Sequence, residues 1–407
     1  MSYTGTNTLA TLNGLFKEVY AGKIENLIPD GVKLLNRIPF AKKDAQPGSA
    51  YHQPVILGHE HGVTFAGATS IDAFNLNDAV PGQMKDATVQ GTQLVLRSVI
   101  GYGTATRSAE GGAKAFEQAT KYLIANMLRS VTKKLEIEML YGQIGYATMD
   151  AVQTAVTVVQ IPTSEWAPGI WAGAENMPID IRDSSGGNSR QRIVTAVDFE
   201  NKTITVDSAV TIAVGDVIWH KGAYGNEFAG IHKIITNNST IFGINAANYS
   251  LFKGNEYDAG SAALSFAKIQ EAVAKAVEKG LDSDVMVLVN PNAWADLLTD
   301  QAALRMFDSS FSPSKMENGS KELMFHGQNG KIEIVPSIYC KQGFAYVLSL
   351  DEMVRIGSTD VTFKRPAKGD EFFRDLESAA GYELRCYCDQ ALFCHAPAKN
   401  VLIKNIA

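Results

Sequence analysis

Cysteine is scarce and oddly placed in this chain. Cys340, Cys386, Cys388 and Cys394 are its whole complement, and all fall in the last fifth of the sequence. A disulfide framework spreads its cysteines through a small secreted domain, so these four are expected to be free thiols. Positive charge is in short supply too: 37 Lys and Arg stand against 43 Asp and Glu, leaving a net −6. A protein that grips nucleic acid neutralises phosphates with clustered cations, so a chain with this balance can surround DNA but is not built to hold it. No run of about 18 apolar residues occurs, which removes a membrane-spanning helix. The opening residues Met1, Ser2, Tyr3 and Thr4 lack the charged-then-apolar order of a secretory signal, so the cytoplasm is the expected place of residence. There is no internal repeat and no low-complexity tract.

Catalytic and ligand-binding motifs are equally thin. His59 and His61 would share one face of a strand, but a zinc centre needs about three or four ligands and no third is near in sequence. Cys386 and Cys388 would also point to one side of a strand, with Cys394 and His395 following. Zinc sites space their cysteines more widely, and a free cysteine usually serves as a small buried hydrophobe. Gly101-Tyr102-Gly103 and Gly111-Gly112 lack the offsets and the Lys-Ser/Thr ending of a phosphate loop, and fit bends better. Arg182, Arg190 and Arg192 surround Gly186-Gly187 and could meet an anion, though a solvated loop explains them as well. Trp166, Trp171, Trp219 and Trp294 are expected in packing. No catalytic residue, cofactor-binding residue or metal ligand is assigned, and no cofactor is expected.

What is present is an ordered series of architectural segments. Residues 1–46 read as an arm, with Leu12, Leu15, Phe16, Val19 and Tyr20 at helical spacing and Pro29 as a limit. Residues 47–104 hold β-prone runs at 51–57 and 93–102 around a turn-rich stretch with Asn75, Asn77, Asp78, Pro81 and Gly82. They predict a long two-stranded hairpin, which cannot be stable without a surface to lie on. Residues 105–150 contain the strongest helix signal: Leu123, Met127, Val131, Leu135 and Met139 fall at four-residue steps. Thirty such residues make a strut of about 45 Å. Residues 151–262 turn to short β runs at 192–197, 202–206, 216–220 and 239–244, predicting a small inserted β-barrel or sandwich. Residues 263–350 predict an α/β unit: a helix from Phe266 to a stop at Gly280, a buried strand at 285–289, a helix begun by Asn290-Pro291, then strands at 331–335 and 344–348. Residues 351–407 end the chain in strands, among them 382–388 and 401–406.

In this order the segments resemble the major capsid proteins of tailed bacteriophages. The stretch 285–298, VMVLVNPNAWADLL, looks like the strand–Asn-Pro–helix element of that family's axial domain. The segments 370–375 (DEFFRD), 382–388 (YELRCYC) and 396–403 (APAKNVLI) are similar to its last peripheral-domain strands. The resemblance implies an α+β chain of the Hong Kong 97-type capsid fold: N-terminal arm, extended β-hairpin or E-loop, spine helix, peripheral and axial domains, and the insert at 151–262. It is weakest over that insert.

The same resemblance implies a structural, non-enzymatic subunit that forms hexamers and pentamers. These would build an icosahedral head around double-stranded DNA, assembled in the bacterial cytoplasm and residing in the virion. Implied partners are further copies of the chain, a separate scaffolding protein, a portal and decoration proteins, with no membrane. Some relatives join a hairpin lysine to an asparagine. Lys85 is the only lysine between Asp44 and Lys114, but no acid catalyst or acceptor can be matched to it. Two other readings compete: an encapsulin-like nanocompartment shell, and a metal- or thiol-dependent enzyme using Cys386, Cys388 and His395.

Overall fold

A computed structural model describes residues 31–41, 50–68, 73–102, 113–299, 323–363, 373–377 and 379–407. Its longest element is the helix Ala113–Tyr141, at 29 residues about 43 Å long. The four-residue row that predicted it is its buried face: Met127, Val131, Leu135 and Met139 are all inside. From residue 135 onward the helix is enclosed on every side, and Glu136 and Glu138 are enclosed with it.

Along this helix lies a four-stranded antiparallel sheet. Its central strand, Gly381–Cys394, pairs along one edge with Thr92–Gly101. Along the other edge it pairs first with Phe373–Asp375 and then with Met353–Thr362. A second sheet of six strands has the order 255–262, 401–406, 345–348, 285–289, 330–336, 323–327. Strand Val285–Val289 is buried at every position because it feeds two cores. Met286 and Leu288 join the core of the long helix, while Val285, Val287 and Val289 pack under helix Phe266–Val277. Such double burial is what a continuous Val/Leu run implies. Asn290 begins the next helix, Pro291–Thr299, by accepting the Asn292 N–H at 3.0 Å. Gly280, at φ +94°, closes the preceding one.

A third sheet has the order 147–148, 217–220, 178–182, 190–198, 203–212, 153–160. Its first and last strands are neighbours in sequence but occupy opposite edges. Flat, those edges would stand about 24 Å apart, and the short link between them reaches at most about 18 Å. The sheet therefore curls into an open barrel. Ile179, Ile181, Val194 and Ile204 from its interior belong to the same core as the long helix.

Four expectations need correction. Strand 93–102 does not close the hairpin; Tyr51–Gly58 pairs instead with Gln83–Val89, starting from Tyr51 opposite Val89. The polar sequence of 83–88 hid this strand, and the chain bends at Gly91, where any Cβ would strike the Asp389 carboxylate. The barrel stops at His220, and the run near 239–244 is a separate two-stranded turn, Thr240–Ile241 with Ile244–Asn245. Asn255–Ala262 leaves the barrel for the six-stranded sheet, pairing parallel to Val401–Ile406. That last strand in turn lies in the six-stranded sheet and not with the strands 353–394. In each case pairing is long-range, and short β-prone runs carry no mark of their partner. The row Leu12–Tyr20, Gly103, Gly111 and Gly112 lie outside the described residues.

Leu140 is fully buried where helix, barrel and six-stranded sheet share one core. Leu140→Ala is expected to lower the unfolding free energy of the protein by about 2–5 kcal/mol, read from the midpoint of a urea titration.

Candidate assembly surface

The ribbon formed by 51–58 and 83–89 is anchored at one end and bare at the other. At its base Ala87 and Val89 are buried, and the Thr88 N–H donates to the Phe242 carbonyl at 2.9 Å. The Tyr51 ring there lies 5.8 Å from that of Phe393, and at the outer end of the ladder the Tyr249 hydroxyl donates to Gln83 Oε1 at 2.9 Å. Beyond Gly58 the described tip residues contain neither helix nor strand. They are nonetheless ordered by local bonds. The His61 N–H donates to the Val80 carbonyl at 3.1 Å, and Asn77 bridges to Thr64 Oγ1 and the Val63 carbonyl at 2.8 and 2.9 Å.

This tip exposes apolar side chains in quantity. Phe65 is 91% exposed, Leu76 78% and Ile56 66%, with Val63, Phe74, Val80 and Met84 also open to water. Each such side chain gains about 1.5–3 kcal/mol on burial, so together they form a candidate interaction surface. Sequence reasoning found the ribbon's first strand, gave it the wrong partner, and missed these residues as a group. The available signal was Val63, Phe65, Phe74 and Leu76 lying inside a turn-rich stretch, where a soluble loop would be polar. The charge pattern adds to it: between Asp44 and Lys85 there is no lysine or arginine at all.

The segment entering the ribbon is locked to the long helix, the six-stranded sheet and the four-stranded sheet. The Glu136 carboxylate accepts the N–H groups of Lys33, Leu34 and Leu35 at 2.8, 2.8 and 2.9 Å. Arg37 makes a two-pronged contact with Glu333 at 3.0 and 2.7 Å on the six-stranded sheet. Arg355 Nε donates to the Ile38 carbonyl at 3.0 Å, and the same guanidinium donates to Gln390 and Asp360.

The residues weighed for chemistry have structural placements. Cys386 and Cys388 face inward from strand 381–394, Cys394 is enclosed, and Cys340 sits by the Leu288 and Phe344 carbonyls. Burial pushes the Cys386 thiol up to about 11 and those of Cys388 and Cys394 up to about 12. The His395 ring packs 4.8 Å from Phe393, and burial lowers its pKa. Among the described residues, no three His, Cys, Asp or Glu side chains lie within reach of one metal ion. His59 and His61 are exposed on the tip, and Lys85 stands exposed on the ribbon opposite Val55.

The three arginines turn inward to their own barrel. Arg182 bonds Asp180 at 2.7 Å, Arg190 bonds Asp216 at 2.7 Å, and Arg192 bonds the Ser208 and Ala209 carbonyls. Trp166, Trp171 and Trp219 are buried, and Trp294 is partly buried against the second core.

No protein-family model matches this sequence, and no curated protein matches it. Among solved structures it is similar to a chain of the Cyanophage A-1(L) capsid asymmetric unit. The two are 13% identical over 98% of this chain and 99% of that one, with a TM-score of 0.55. A chain from the capsid of the native GTA particle aligns over 99% and 100% at 10% identity, with a TM-score of 0.51. One from the capsid of Myoviridae Phage XM1 aligns over 99% and 100% at 9% identity, also at 0.51. Identities this low transfer no residue roles. The coverage, complete in both directions, gives this chain the fold of phage capsid chains, in agreement with the resemblance read from its segments.

With its thiols buried and held neutral, native protein at pH 8 is expected to leave all four cysteines unreacted with a disulfide reagent. Under the same conditions guanidinium-unfolded protein reacts fully; a thiol with a pKa of about 11 presents only roughly one thiolate in a thousand at that pH. Fast native labelling at Cys386 or Cys388 would favour the enzyme reading.

Proposed function

We propose that this chain is the major capsid protein of a tailed phage, a structural subunit whose copies build the head shell. The observation that carries the reading is the ribbon tip. It is held in shape by its own hydrogen bonds, yet it leaves seven large apolar side chains, Ile56 to Met84, without cover from the described residues. A rigid apolar projection of this kind is completed by a neighbouring copy. In family terms this is the E-loop lying over the adjacent subunit, with helix 113–141 as spine and the sheet of 353–394 as peripheral domain. The six-stranded sheet is then the axial domain, meeting its copies around the centre of a hexamer or pentamer.

The fold shared with phage capsid chains supports this reading, as does the chemistry of the wall. A subunit of net charge −6 encloses double-stranded DNA without fastening its phosphates. Nothing in this role calls for an enzyme, and the buried thiols and the arginines bonded within the barrel have structural explanations. Assembly in the bacterial cytoplasm with a scaffolding protein, on a portal, with decoration proteins added outside, completes the proposal.

Expression alone or with a scaffolding protein is expected to give closed particles or capsomers by negative-stain microscopy. Phe65→Ser with Leu76→Ser is expected to abolish them and leave a folded subunit within about 0.5 kcal/mol of the parent, as for surface substitutions generally. A monodisperse monomer under both conditions defeats the proposal. Particles that close around protein cargo and exclude DNA would move it to the encapsulin-like reading.

A further inference from the structure

The long helix turns one face, from Asn126 to Glu138, toward a cleft of about 720 Å³. Leu94 and Leu96 of strand 92–101, Ile170 and Met177 supply apolar walls. The charged groups facing it are Arg129, Lys133, Lys134 and Glu138 from the helix, Glu175 from the facing loop, and His220, Lys221 and Glu227 from the end of the barrel. Most of the buried ones are spoken for. Lys134 bonds Glu227 at 2.8 Å and the Tyr146 hydroxyl at 2.9 Å, and Glu138 accepts the Phe228 N–H at 3.2 Å.

Lys133 is different. Among the described residues it forms no ion pair, and its ammonium donates to the Ala172 carbonyl. Lys134, Lys341 and Lys399 each have a carboxylate at 2.7–2.8 Å, and Lys202 and Lys279, which bond only neutral oxygens, do not line the cleft. A desolvated lysine without a carboxylate partner, on the wall of a cavity, is the arrangement that makes an amine nucleophilic. We propose that Lys133 is a covalent capture site for small aldehydes, the cleft enclosing the apolar body and Arg129 or Lys221 meeting an anionic substituent. The neutral amine attacks the carbonyl carbon, forming the C–N bond while the π pair moves to oxygen, which takes a proton. That proton comes from the nitrogen, giving a carbinolamine, whose hydroxyl then departs with the remaining nitrogen proton as one water to leave an imine, with no oxidant or reductant consumed.

Electrostatics agrees with the geometry. Burial lowers the Lys133 pKa to about 8, partly opposed by the nearby Glu175 carboxylate. The neutral form therefore grows as pH rises through 8, whereas an ordinary lysine stays almost wholly charged there.

The test treats full-length protein with one equivalent of pyridoxal 5′-phosphate, traps imines with borohydride and maps labelled peptides by mass spectrometry. Lys133 is expected to carry most of the label. Its labelling should rise about five-fold between pH 7 and pH 8 and level off above pH 9, while other lysines keep rising roughly ten-fold per unit. Lys133→Arg should remove the dominant label. Glu175→Gln, at an exposed position, should increase labelling at pH 7 by withdrawing support from the ammonium. Label spread over exposed lysines with Lys133 no richer than the rest would overturn the proposal. So would a Lys133 profile that still climbs ten-fold per unit above pH 9.

Discussion

Two carboxylates inside the long helix set the terms for the rest of the molecule. Glu136 and Glu138 lie in the stretch that is enclosed on every side, where an unpartnered charge would cost several kcal/mol. Burial raises the pKa of both, that of Glu138 to about 7 with Glu227 adding to the effect. What makes their enclosure tolerable is backbone brought from far away. Three N–H groups of residues 33–35 converge on Glu136, and the Phe228 N–H together with the Lys134 ammonium attends Glu138. The entering segment and the chain leaving the barrel are thus required partners of the helix. If either is displaced, a carboxylate is stranded in a core. That requirement fixes where the arm crosses the helix and where the barrel ends against it.

From this fixed centre the structure divides its apolar surface into two kinds. One kind is satisfied within the chain: a core shared by the long helix, the barrel and the four-stranded sheet, and another under helix 266–277, with strand 285–289 feeding both. The other kind is held out on the ribbon. Its base is pinned by Phe242 and Phe393 and the outer end of its ladder by Tyr249, so the exposed tip projects from a rigid support. Preorganising an apolar projection lowers the entropy lost when a neighbour covers it. On the proposed function, that is the physical basis on which the chain can fold alone and still gain cover from a neighbouring copy.

Local order in the sequence was enough to locate the helix and the ribbon's first strand, because a period of four residues and a β-prone run are properties of neighbouring residues. The Asn290-Pro291 helix start and the Gly280 stop were legible for the same reason. The candidate surface was half legible: the need of a two-stranded ribbon for support follows from its strand count, but its return strand, 83–89, has a polar sequence and was passed over. The thiols show the opposite limit. Cys386 and Cys388 share a side, as alternation demands, but whether that side meets a core or a ligand depends on what packs against strand 381–394.

The sequence by itself determined the order of elements, the shortage of positive charge and the absence of any recognisable catalytic motif, all of which are set by residues and their near neighbours. Only the tertiary structure decided which strands pair. It sent 92–101 to strand 381–394, carried 255–262 and 401–406 into one sheet, and buried Glu136 where the arm could reach it. Those choices are made between residues separated by up to about three hundred positions. Each depends on which hydrogen-bonding edges and apolar faces remain unsatisfied once the rest of the chain is in place.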